Sequence, residues 1–151
     1  MRSPIEPGPL LSRCQAEQRR CDSELAQLAR EDGQLEARQR DLDGQGEGLR
    51  RLLLAQRPAG AALDRGQLFA LLRKQAVLRR QLQNLDLQRE QAREQRLQLA
   101  ERRERQAALR RQWLRKEEKY QRWMQLQRRR RRLLGLRQEE IEQEEMTTWQ
   151  A

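Results

Sequence analysis

A line of side chains seven residues apart runs through the second half of this chain and limits what it can fold into. It reads Leu71, Leu78, Leu85, Ala92, Leu99, Gln106, Trp113, Tyr120, Gln127, Leu134 and Ile141. Only Gln106 and Gln127 are frankly polar, in a chain that is 37% charged. A repeat of seven keeps one face of an α-helix on a line when the helix is slightly under-wound against a partner. No strand-like alternation runs through it, and no Gly or Pro interrupts it before Gly135. The spacing predicts one very long helix with a narrow apolar seam, and the rest of the chain must supply what that seam packs against.

The composition leaves little else. Hydrophobic residues make up 36% and aromatics 3% of the 151 residues, and mean hydropathy is −1.17; an ordinary globular domain has about 45–50% apolar residues. Val and Ile are scarce, so a sheet or a thick core lacks material. Leu, Gln, Arg, Glu and Ala dominate, as in long helices and coiled coils. High charge also marks disordered chains, but sustained heptads argue against disorder over most of the length. The first nine residues contain no apolar stretch of signal-peptide type, and no uncharged apolar run comes near the length needed to span a bilayer. Neither a secretory signal nor direct membrane insertion is expected.

There is no histidine, which removes the commonest general base and metal ligand together. Cys14 and Cys21 lie seven apart, about 10 Å along a helix, too far for a disulfide within it. Packing in the seam as small hydrophobes is one reading of them; a redox or metal role is the other. Unpaired thiols fit a reducing, cytoplasmic compartment.

Read in order, residues 1–11 form a Pro-rich flexible tail. Ser12, with Gln15 three residues on, has the pattern of an N-cap. The first helix then spans 12–57 with its own seven-step line, Cys14, Cys21, Leu28, Leu35, Leu42 and Leu49. Gly44, Gly46 and Gly48 weaken it by about 1 kcal/mol each, either as a soft helical stretch or as a hinge. Pro58-Ala59-Gly60 marks a turn over 58–63. Asp64, with Gln67 behind it and Leu63 positioned to staple onto Leu68, caps a second helix over 64–148. The expected fold is all-α: a long antiparallel two-helix coiled-coil hairpin with unequal arms. Pairing the two lines directly, Leu49 with Leu71, Leu42 with Leu78, Leu35 with Leu85, Leu28 with Ala92 and Cys21 with Leu99, gives residue numbers that all sum to 120, centring the hairpin on residue 60. In that register nothing from Trp113 onward has a first-helix residue opposite it.

Three groups of residues stand out as contact surfaces. Arg128 to Arg132 are consecutive, and Glu139, Glu140, Glu142, Glu144 and Glu145 follow closely; such a run can be a solvated helix face, a site for an acidic protein or a phosphate-binding patch. Trp113, Tyr120 and Trp123 are three of the five aromatics, either packed in the seam or anchoring a partner. Leu68, Phe69, Leu71 and Leu72 offer more apolar surface near the turn than one seam uses, as local packing or as a docking knob. No glycine-rich phosphate loop, nucleophile elbow or metal-ligand spacing is present, and carboxylates on solvated helices have no pocket to tune them. No enzyme activity and no cofactor is expected.

The stretches Leu71-Leu72-Arg73-Lys74-Gln75-Ala76-Val77-Leu78-Arg79-Arg80-Gln81 and Trp113-Leu114-Arg115-Lys116-Glu117-Glu118-Lys119-Tyr120-Gln121-Arg122-Trp123 resemble the best-marked segments of the SpaM/InvI (SctO) family of type III secretion stalk proteins. In layout the resemblance covers roughly residues 12–145; the tail, the glycine trio and the acidic C-terminal stretch match poorly. It implies a coiled coil similar to the flagellar protein FliJ, engaging a hexameric export ATPase and the cytoplasmic ring of the export gate at the cytoplasmic face of the inner membrane. Carried onto this chain, it implies gate contacts at Leu68, Phe69, Leu72 and Arg73. It implies ATPase contacts at Trp113, Arg115, Lys116, Tyr120 and Trp123, with the arginine run. Secretion chaperones are further partners it leaves open. A monomer in isolation and no specific nucleic acid are expected; the alternative function is a basic coiled-coil adaptor on nucleic acid or ribosomes.

Overall fold

The computed structural model describes residues 6–56 and 63–149. It is all-α: helix α1 covers Pro7–Ala55, 49 residues, and helix α2 covers Arg65–Trp149, 85 residues. No strand occurs among the described residues. The helices contribute to two compact units, one formed by Leu25–Arg105 and one by Met1–Glu24 with Gln106–Ala151. Within each unit α1 and α2 run antiparallel.

The helix ends show which local signals the backbone obeys. Asp64 and Gln67 form the expected reciprocal cap: the Gln67 N–H donates to Asp64 Oδ1 at 2.7 Å and the Asp64 N–H donates to Gln67 Oε1 at 3.3 Å. These bonds satisfy donors that a helix start leaves orphaned. The start of α1 differs from expectation. It begins at Pro7 rather than after Ser12, so Ser12 and Gln15 lie inside the helix and residues 7–11 are not a tail. The first four N–H groups of a helix have no intrahelical acceptor, so Pro7 and Pro9 forfeit nothing there and bring a preset φ. Pro7 is also buried. At the other end α1 stops at Ala55, where the Gln56 N–H still donates to Leu52 O at 3.2 Å. The expected turn at Pro58-Ala59-Gly60 lies outside the described residues.

Helix α1 runs without a break through Gly44, Gly46 and Gly48. A methyl group at any of the three would meet nothing within 4 Å, so close packing does not demand glycine at them. The helix there is carried by its neighbours in the seam, Leu42 buried and Leu49 half-buried.

In the unit Leu25–Arg105 the seam buries Leu28, Leu42, Leu85, Ala92 and Leu99, with Leu35, Leu71 and Leu78 half-buried. In the other unit it buries Cys14 and Cys21, with Leu11, Trp113, Tyr120 and Trp123 half-buried. From Cys14 to Leu49 and from Leu71 to Tyr120 the expected seam lines face inward, whereas Leu134 and Ile141 at the end of the second line are exposed.

The register differs from the expected one. Asp43 pairs with Arg89 at 2.7 Å, residue numbers summing to 132 rather than 120. Asp32 pairs with Arg96 at 2.9 Å, summing to 128, and Gln75 Nε2 donates to the Gln56 carbonyl at 3.5 Å, summing to 131. In the other unit Asp22 pairs with Arg110 at 2.6 Å, summing to 132. Opposed residues thus centre near 131, displaced by eleven from direct line-to-line pairing, or about 16 Å at 1.5 Å per residue. Eleven is one heptad plus the four-residue step between the two lines of a seam. Side chains of facing helices interdigitate, so each residue of one line sits between two of the other helix's line and level with its second line. That second line on α2 holds Arg89, Arg96, Arg103 and Arg110 at seven-residue spacing.

Candidate partner-binding surfaces

The gate-end candidates stand at the start of α2, in the unit Leu25–Arg105. Leu68, Phe69, Leu72 and Arg73 are all exposed. Arg65, one turn earlier, lies over the Phe69 ring with its guanidinium carbon 5.7 Å from the centroid, a cation–π contact that the i, i+4 spacing produces. Leu52 and Leu54 at the end of α1 are exposed as well. Rings and leucines left open to water in this number are unusual unless something covers them.

The ATPase-end candidates occupy α2 in the other unit. Trp113, Tyr120 and Trp123 are half-buried, whereas Arg115 and Lys116 are exposed. Lys116 Nζ lies 4.5 Å from the Trp113 ring centroid, and Arg13 of α1 approaches the same ring at 5.8 Å. Gln18 Nε2 donates to Glu117 Oε2. The expectation that α1 ends short of Trp113 is thereby corrected: the displaced register brings α1 alongside the Trp113–Glu117 turn. The aromatic rings contribute partly to the seam and partly to the surface. The Trp113 Nε1 is buried with no acceptor among the described residues.

What stands free of α1 starts later. Every residue of 128–149 is exposed although the whole stretch is helical. Leu133, Leu134, Leu136, Ile141 and Met146 are open to solvent, and Trp149 is 90% exposed. Of these, Leu134 and Ile141 were marked by the seven-step line; Leu133, Leu136 and Met146 carry no periodic signal of their own.

Electrostatics distinguishes the seam from these surfaces. The Arg96 guanidinium hydrogen-bonds Asp32 and holds its carboxyl below the usual range, against a smaller opposing effect of burial. The same bond raises Arg96, and its Nη1 also donates to Gln39 Oε1 at 2.8 Å. Burial pushes both thiols up, with Glu117 adding to the effect at Cys14 and Glu17 at Cys21. A thiol held protonated is a poor nucleophile and a poor metal ligand, which favours seam packing for both cysteines. Among the described residues no three His, Cys, Asp or Glu side chains are grouped to hold a metal ion. No described helix is long and apolar enough to cross a membrane.

Neither a curated protein nor a solved structure matches the chain. The family model of the Salmonella surface presentation of antigen gene type M protein does match, over residues 7–147. That span takes in α1 and nearly all of α2, so the chain belongs to this family and is a type III secretion-related protein.

Proposed function

We propose that the chain is a non-enzymatic stalk that couples a hexameric export ATPase to the cytoplasmic ring of the export gate during type III secretion. The observation that carries this reading is the inequality of the two helices. Helix α2 continues through residues 128–149 with every residue exposed, and a helix that long and that polar is stabilised mainly by what it packs on. Family membership supplies the secretion context. The start of α2, with Leu68, Phe69, Leu72 and Arg73, is the candidate for the gate. The other unit, with Trp113, Arg115, Lys116, Tyr120 and Trp123, is the candidate for the ATPase. A net charge of +10 would steer the chain toward an acidic binding surface and would make the encounter sensitive to salt.

The test is reconstitution with the cognate ATPase at physiological salt. The purified chain is expected to assemble with the hexamer and raise its turnover, and Trp123→Ala to weaken assembly about tenfold or more, as loss of a half-buried aromatic anchor does. Phe69→Ala is expected to leave ATPase assembly unchanged and to reduce capture by the gate ring. Failure to assemble with the ATPase, together with tight binding of nucleic acid, would replace the stalk with the adaptor reading.

A further inference from the structure

The exposed end of α2 has its charges sorted along its length. Within 128–149 every basic residue falls in the first half, Arg128 to Arg132 and Arg137, and every acidic one in the second, Glu139, Glu140, Glu142, Glu144 and Glu145. Six positive charges against five negative leave the stretch almost neutral. None of the eleven takes part in an ion pair among the described residues. A uniformly acidic ligand, whether nucleic acid or anionic membrane, would attract the first half and be repelled by the second. The ligand that matches both halves at once is the same helix reversed.

The apolar residues agree with that match. Leu134 and Ile141 continue the seam line and are 63% and 54% exposed. Arg130 and Arg131 lie four and three residues before Leu134, and Glu144 and Glu145 lie three and four after Ile141. At those spacings all four flank the apolar line on the same helix face. Reversing one copy against another lays Leu134 and Ile141 of both copies along one shared seam, where they can interdigitate. The same operation brings Arg130 beside Glu144 on one flank and Arg131 beside Glu145 on the other, each within about one residue of level and twice by symmetry, as a two-fold interface requires.

We propose that the exposed ends of two copies of this chain pair antiparallel through residues 128–149, with Leu134 and Ile141 as the seam and Arg130–Glu144 and Arg131–Glu145 as the flanking pairs. The paired length is about 33 Å, with two seam residues per copy, so the contact belongs with small, transient interfaces. The inference does not rest on the stalk reading, because it is tested on this chain alone.

The experiment is sedimentation equilibrium of the full chain across concentration and salt, with circular dichroism at 222 nm to show that exposed substitutions leave the helices intact. The natural chain is expected to dimerise with a Kd on the order of 100 μM at low salt, weakening as salt rises. The double variant R130E/R131E places like charges opposite each other in a self-pair, and so does E144R/E145R; each is expected to raise Kd about 30-fold. An equimolar mixture of the two variants restores every opposite pair and should dimerise within about threefold of the natural chain. A natural chain that stays monomeric to about 1 mM at low salt overturns the proposal. So does either double variant that dimerises as tightly as the natural chain, or a mixture that stays monomeric.

Discussion

Leu28 is 1% exposed, the largest fully buried side chain among the described residues, and replacing it with alanine tests how the hairpin is held. The change removes three carbons from the seam, about 0.8 kcal/mol each by transfer, or roughly 2.4 kcal/mol. A buried Leu→Ala change elsewhere costs about 2–5 kcal/mol once cavity formation is included. Two helices with no third layer give water access to the gap, so the cavity contribution is small, and alanine returns a few tenths through helix propensity. The expected loss is about 2–3 kcal/mol. Leu35, half-buried on the same line, should lose about half as much, and Leu87, 64% exposed, less than about 0.5 kcal/mol. All three substitutions change the same residue to the same residue in the same helical setting, so propensity cancels and burial is what differs. Equilibrium urea unfolding followed at 222 nm gives the three values from the midpoint shifts at constant m. Equal losses at Leu28 and Leu87 would refute the reasoning, because stability would then come from single-helix propensity rather than from the seam.

The register makes an equally direct prediction. In a Cys14→Ser/Cys21→Ser background, Leu35→Cys with Leu99→Cys should cross-link with a short bifunctional thiol reagent, since both residues line one groove. Leu35→Cys with Leu85→Cys, the pair that direct line matching favours, should not; residues 85 and 99 are about 21 Å apart along α2. The Asp32–Arg96 pair predicts a pH dependence. Asp32 is lowered in the folded chain, so its stabilisation is complete above the unfolded pKa of about 3.9 and is lost as pH falls below it through the folded value. The Tm advantage of the natural chain over Asp32→Asn should therefore be full at pH 6 and shrink steadily below pH 4; a constant gap would count against the pair. Cys14 and Cys21, buried and with raised thiol pKa, should react with iodoacetamide at pH 8 far more slowly in buffer than in urea. Equal rates would place them outside the seam.

Fold class, helix number and inward-facing residues were legible in the sequence because the seven-step repeat encodes all three at once. The α2 cap was legible for a local reason: Asp64 and Gln67 carry a reciprocal bond that involves only their own turn. The α1 start was misread for a local reason too, since Pro7 and Pro9 read as helix breakers unless their place in the first turn is already known. The register was hidden for a different reason. Leu28, Leu35, Leu42 and Leu49 are chemically alike, so sliding them past α2 by a heptad brings leucine against leucine again. An apolar line cannot select among such positions. At the candidate surfaces the sequence left packing and exposure undecided: Leu68, Phe69 and Leu72, readable either as local packing or as a docking knob, are exposed, whereas Trp113 is half-buried against α1.

What selects the register is the polar second line, and the selection has a consequence beyond stability. Arg89, Arg96 and Arg110 each meet an aspartate of α1, at Asp43, Asp32 and Asp22. A slip of one heptad would keep leucines packed but separate all three pairs by about 10 Å along the helix. Placing arginines where leucines would bury more apolar surface weakens the seam and in exchange makes one alignment better than its neighbours, the attested use of polar residues inside coiled coils. In this chain that alignment also decides how much of α2 is left bare. With opposed residues summing to about 131, Arg13 and Gln18 reach Trp113 and Glu117, and the exposed stretch begins at residue 128. With a sum of 120, α1 would reach no further than Trp113, opposite Pro7, and leave Tyr120 and Trp123 bare along with the charged end. The arginine line therefore sets which part of α2 belongs to the hairpin and which part is left exposed.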